Sequence, residues 1–207
     1  MFILKRFREE IRIIRESGKD LTRDNFCAIL KGYGIDAQMA PFARIEERVR
    51  SSLFSNSLGV IDIKGCPICW VNVRWVSRWS GDEHPRGNYY ADYGIPDSRL
   101  HPNSPQTRLE TIFRRTFPIL GALDSVEWWG RNCDPSVISR LNEDAELKLL
   151  MIEGLWLGKT RNHVEVVASS RCRCWILTTY LNDDSSNLIY PLNYWNRYQL
   201  IAQLLLK

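Results

Sequence analysis

The sequence predicts an α+β fold: a mainly antiparallel, curved sheet covered by a C-terminal helix, with a helical segment at the N-terminus. Three observations predict it. Residues 66–79 (CPICWVNVRWVSRW) and 171–180 (RCRCWILTTY) alternate bulky apolar side chains with polar ones, the period of two that a half-buried strand requires. Tyr194, Trp195, Tyr198, Ile201, Ala202 and Leu205 recur at helical spacing and form a wide apolar stripe, so the last helix is expected to lie across the sheet. The elements follow in the order three helices, hairpin, loop, strands, helix, strands, helix, which suits an antiparallel sheet rather than βαβ units.

Taken in order, Leu4, Phe7, Ile11 and Ile14 place a helix over about 3–17, with a charged opposite face and Gly18 as its stop. Thr22 is expected as the next N-cap, with Leu21 and Phe26 as a hydrophobic staple and Phe26, Ile29, Leu30 and Tyr33 facing inward. Gly32 and Gly34 end that helix, and a third starts near Pro41 with Ile45, Val49 and Leu53 on one face. Residues 1–56 thus read as a helical segment packed on a main body of 57–207, in one continuous domain. LGVIDI (58–63) predicts a strand, KGCP a turn and ICWVNVRWV (68–76) its antiparallel partner. Residues 80–105 carry Pro85, Pro96, Pro102 and Pro105 with Gly81, Gly87 and Gly94, a composition that predicts a long loop. TRLETIFRRTF (107–117) alternates again, and Ser125–Trp129 predicts a short strand. Asp134 before Pro135 is a helix start, with Val137, Ile138 and Leu141 inward and further helical turns over 145–152. Strands are expected at 154–157, 163–168 and 171–180, and the terminal helix opens near Pro191.

A formal net charge of +4, from 28 basic and 24 acidic residues, is too small to point to nucleic acid. Most of it sits between Lys5 and Arg15, where the 3–17 stripe could pair with a partner helix or with its own copy. No secretory leader and no apolar run long enough to span a membrane is read, and six cysteines in 207 residues are no disulfide framework. A cytoplasmic protein with reduced thiols is expected. No glycine-rich dinucleotide or phosphate-loop motif occurs, so no cofactor is expected.

Four constellations could carry chemistry. Cys66 and Cys69 have the spacing of a zinc-ribbon knuckle, and Cys172 with Cys174 could complete a four-thiolate site. Against zinc, Trp70 stands where a knuckle turn needs glycine and the second pair lacks a spacer, so buried structural thiols are the preferred reading and no metal is expected. Asp62 and Lys64, with Asp36 or Glu47 upstream, echo the acidic pair and lysine of metal-dependent nucleases, where carboxylates hold a divalent cation and the lysine orients water. Trp70, Arg74, Trp75, Arg78 and Trp79 could stack bases and hold phosphates, although strand alternation divides them between two faces. His84 and His101 lie beside Asp82, Glu83 and Asp97 in the proline-rich segment, where a solvated loop is the simpler reading.

The leading expectation is a non-enzymatic binding or regulatory domain. It would contact a partner protein or an apolar small molecule through its aromatic sheet and the 80–105 segment, using Tyr89, Tyr90, Tyr93, Arg74 and Arg78. A metal-dependent nuclease or other hydrolase built on Asp62 and Lys64, and a single-stranded nucleic-acid binder, are the alternatives.

Overall fold

The computed structural model describes residues 20–41, 56–78, 86–100, 106–115, 123–153, 164–170, 172–182, 188 and 190–207. The helices expected over 3–17 and onward from Pro41, the strand expected at 154–157, and Glu47, Trp79, His84 and His101 lie outside the described residues. Four helices and eight strands are described: α1 (Thr22–Gly32), β1 (Asp36–Met39), β2 (Ser57–Lys64), β3 (Trp70–Arg78), β4 (Arg86–Pro96), β5 (Arg108–Arg115), β6 (Leu123–Arg131), α2 (Pro135–Glu143), α3 (Ala145–Glu153), β7 (Glu165–Ser169), β8 (Cys174–Asn182) and α4 (Leu192–Leu206). The strands form one antiparallel sheet in the order β1-β2-β3-β4-β8-β7-β5-β6, so the fold class is the α+β sheet with a C-terminal helix that the alternation predicts. Cα packing divides the chain into two compact units, one of Met1–Gly65, Trp70–Asp92 and Leu181–Tyr190, the other of Cys66–Cys69, Tyr93–Tyr180 and Pro191–Lys207.

In the first unit, α1 begins one residue earlier than its sequence suggests, with Leu21 and not Thr22 at the N-cap position. Thr22 is already helical, and Asp20 accepts its backbone N–H at 2.9 Å while also accepting the Tyr89 hydroxyl at 2.9 Å. The helix ends where Gly32 and Gly34 predict, with Gly34 N–H returning to Lys31 O and Ile35 N–H to Leu30 O, the two bonds that satisfy orphan carbonyls at a helix terminus. Its inward face is rotated from the expected one: Thr22, Arg23, Phe26, Cys27 and Leu30 are buried, whereas Tyr33 and Leu21 are exposed, so no staple forms between Leu21 and Phe26. The reason is Tyr190. Phe26 meets its ring edge-on at 4.8 Å, and Tyr33 stays near the surface to donate its hydroxyl to the Tyr190 carbonyl at 2.7 Å.

The β2–β3 hairpin forms as expected, with Asp62 opposite Trp70 and a bulge between Ser57 and Gly59. The 80–105 loop is a correction. Residues 86–96 are β4, an eleven-residue strand, because its glycine at 87 serves a close approach and not a turn: a Cβ there would fall within the Trp75 indole.

In the second unit, α4 buries Trp195, Tyr198, Ile201, Ala202 and Leu205, five of the six stripe residues. Tyr93 of β4 packs on it, with ring centroids 4.9 Å from Tyr198 and 6.3 Å from Trp195, contacts worth about 0.5–1.5 kcal/mol each beyond area burial. Arg197 shares this buried face, which its charge would not suggest. Its guanidinium lies 4.8 Å over the Tyr194 ring and donates to the carbonyl of Leu150, one of the last carbonyls of α3. β8 is buried on both faces from Cys174 to Leu177, so it reads as a continuous apolar run.

A second arginine closes the other helix end. Arg99 donates to Leu205 O at 2.9 Å, held by two bonds to Asp97, which also accepts Trp175 Nε1–H at 3.0 Å and the Arg99 backbone N–H at 3.0 Å. Burial pushes the Asp97 carboxyl up, but these bonds and the Arg99 charge outweigh it and hold the group below its ordinary value. A depressed folded-state pKa contributes stability above the ordinary carboxyl range near pH 3.9, lost as pH falls through the folded value. Acid titration should therefore loosen α4 below about pH 4, and Asp97→Asn should remove that part of the acid sensitivity. Thermal melts across pH 2–6 of both proteins check it; parallel curves would contradict it.

Candidate functional site

The sheet's last strand, β6, carries the features that best fit a contact surface. Register fixes its faces. Arg108 opposes Arg131, Glu110 opposes Trp129, Ile112 opposes Glu127 and Arg114 opposes Ser125 on β5–β6, and β7 adds Glu165 opposite Glu110. Opposed residues share a face. Trp129 and Ile112 are diagonal neighbours on it, 52% and 48% exposed, so a tryptophan and an isoleucine stand together in water. Charged pairs surround them: Arg108 bridges Glu110 and, at 3.0 Å, Glu165, and Arg114 meets Glu127 at 2.7 Å. Such exposed pairs each add about 1 kcal/mol or less to stability, so their consequence is orientation rather than strength.

The opposite face of β6 buries Val126 and Trp128 beneath α2 and α3. Asp134 starts α2 by accepting Ser136 N–H at 2.9 Å, and Asp144 starts α3 by accepting Leu147 N–H at 2.8 Å. These caps set where Asn142 falls. Its side-chain amide donates to Trp128 O at 3.0 Å and accepts Trp128 N–H at 2.7 Å, taking the place that a neighbouring strand's peptide group would take. Thr111, opposite Trp128, sends its own N–H away to Val164 O, so this is the pair whose backbone groups point outward from each other. Among the described residues β6 is therefore the sheet edge, closed at Trp128 by one amide.

Alternation turns the N–H and C=O of Val126 to the same side as those of Trp128. There a groove of about 420 Å³ is lined by Ser125, Val126, Glu127, Asn142, Lys148 and Ile152. Lys148 has no ion-pair partner among the described residues, whereas Glu127 is already met by Arg114. Asn142→Ala should cost roughly 2 kcal/mol, because two partly buried backbone groups lose their partner together, and should promote self-association through the bared edge. Chemical denaturation with light scattering checks this; unchanged stability would contradict the bridging role.

The sequence-derived residues lie elsewhere. Tyr89 and Tyr93 point inward on β4, Tyr89 bonded to Asp20 and Tyr93 packed on α4, and Tyr90 is half-buried with the Arg74 guanidinium 5.3 Å from its ring centre. Arg74 donates to buried Asp92 at 2.7 Å, so its charge is neutralised within the protein; Arg78 is the last residue of β3. On the β1–β2 ladder Lys64 is directly opposite Asp36, whereas Asp62 is opposite Gln38. Lys64 and Asp36 are exposed there.

Cys66 gives its hydrogen to Ile68 O, and burial pushes its thiol up, toward the protonated form that does not ligate metal. Cys174 donates to the carbonyl of Cys172, and none of the six cysteines is in a disulfide. No group of three or more His, Cys, Asp or Glu side chains among the described residues is placed to hold a metal ion.

Trp129, Ile112, Asn142 and Lys148 escaped the sequence reading. One signal was present: consecutive residues of a strand face opposite ways, so in VEWWG the two tryptophans cannot both be turned to one core. Compared with known proteins, the chain matches no family model, no curated protein and no solved structure. Among the described residues no helix is long and apolar enough to cross a membrane.

Proposed function

We propose that this chain is a non-enzymatic protein-binding domain whose partner docks on the outward face of β7–β5–β6. The observation that carries this reading is Trp129, half exposed beside Ile112 and ringed by ion pairs. Tryptophan and arginine dominate the energetics of protein interfaces, and an apolar centre inside a charged rim is the usual anatomy of a contact patch. The engagement of Arg74 with Asp92 makes the nucleic-acid reading the weaker one. A reducing, cytoplasmic setting, expected from the cysteine usage, belongs to the same proposal.

A photo-crosslinking amino acid placed at 129 or 112 in the producing cell tests it, with the same group at exposed Lys64 as the control. Discrete adducts from 129 and 112, absent from 64, are expected. No adduct at either position, or the same bands from all three, would overturn the proposal.

A further inference from the structure

We infer that the β6 edge groove takes an extended, acidic segment of the partner, added as a short strand beside Val126. The inference rests on the protein-binding reading and gives its partner a chemistry. Three observations lead there. Among the described residues the sheet ends at β6, and an edge strand presents donors and acceptors that an incoming strand can satisfy. The edge already shows how it is satisfied: the Asn142 amide accepts from and donates to Trp128 as a peptide group would, at 2.7 and 3.0 Å. The next residue whose backbone groups point out from the sheet edge, Val126, borders a groove of about 420 Å³, within the range of ordinary ligand sites.

The lining then selects the segment. Lys148 is the groove's cation without an ion-pair partner among the described residues, while the Glu127 carboxylate is held by Arg114. The charge left to complement is positive, so an aspartate or glutamate of the segment meets Lys148. Ile152, half-buried on the same helix, offers an apolar contact to a side chain on the segment's helix-facing side. Asn142 ends the site, since its amide occupies the rung at Trp128. Glu127 belongs both to the groove and to the outward face, so strand and face are parts of one contact.

The test uses a fluorescent pentapeptide alternating valine with aspartate, compared with the same peptide carrying lysine for aspartate and with its N-methylated form. The aspartate peptide is expected to bind at least about tenfold more tightly than either, a difference of about 1.4 kcal/mol. Lys148→Glu should invert the preference between the aspartate and lysine peptides. Trp129→Ala should leave peptide binding unchanged while weakening the crosslink formed from 112. Equal binding of the N-methylated peptide, no effect of Lys148→Glu, or no binding below millimolar concentration would each overturn the inference. Crosslinks from 129 would then still stand for the protein-binding reading by themselves.

Discussion

Asp92→Ala lowers the stability of the folded protein by about 3–5 kcal/mol, the loss typical of removing one partner from a buried ion pair. Asp92 is 1% exposed on β4 and accepts from Arg74 Nε at 2.7 Å and Asn72 Nδ2 at 3.2 Å. The chain of bonds continues. Asn72 Oδ1 accepts the Ser57 hydroxyl at 2.6 Å, and Ser57 Oγ accepts Gly59 N–H at 3.0 Å, so one carboxylate organises polar groups of three strands. Without it the Arg74 charge and the Asn72 amide stay largely buried with nothing in the carboxylate's place. Asp92→Asn should lose less, since it keeps an acceptor and the shape. A double variant, Asp92→Leu with Arg74→Met, should recover much of the loss because it buries no charge. Urea unfolding at constant m reads all three; a loss under about 1 kcal/mol for Asp92→Ala would contradict the network.

Gly59→Ala is the second large effect, a loss of about 2–5 kcal/mol with contributions from strain and from overpacking. Gly59 sits in the β2 bulge with φ of 126°, a conformation that side chains rarely adopt. A Cβ there would also lie 2.9 Å from Arg23 Cδ, and Arg23 is packed between α1 and this bulge, bonded to Asp24. The two causes separate. In an Arg23→Ala background the collision is gone and only the backbone strain remains, so Gly59→Ala should cost about 1–2 kcal/mol less there. Thermal melts of the four proteins of this cycle check it; an additive result would assign the whole effect to backbone conformation.

The alternating segments, the capped helix at Asp134 and the terminal stripe were legible because each rests on a strong local period or a capping residue. β4 was not. Gly87 and Gly94 look like punctuation in sequence, yet Gly87 is required by the indole of Trp75, which arrives from β3, twelve positions earlier in the chain. β1 is only four residues long, too short for alternation to show, and it is stabilised by pairing with β2 across a long intervening segment. Nothing in the local pattern marks Asn72, Asp92 and Arg197 as buried, because the partners that bury them come from other strands and helices. The contact surface on β6 was missed for a related reason. An exposed tryptophan is distinguished from a buried one by what covers it, and Asn142 acts on the backbone of Trp128, a partner that sequence pattern does not reveal.

Residue-resolved amide hydrogen exchange tests the central claim, an edge strand that among the described residues is closed at Trp128 and open at Val126. The Trp128 amide, held by Asn142, should exchange roughly tenfold or more slowly than that of Val126, and the aspartate peptide should bring Val126 toward it. Equal protection of both amides in the free protein would mean that the edge is already covered, and would contradict the account.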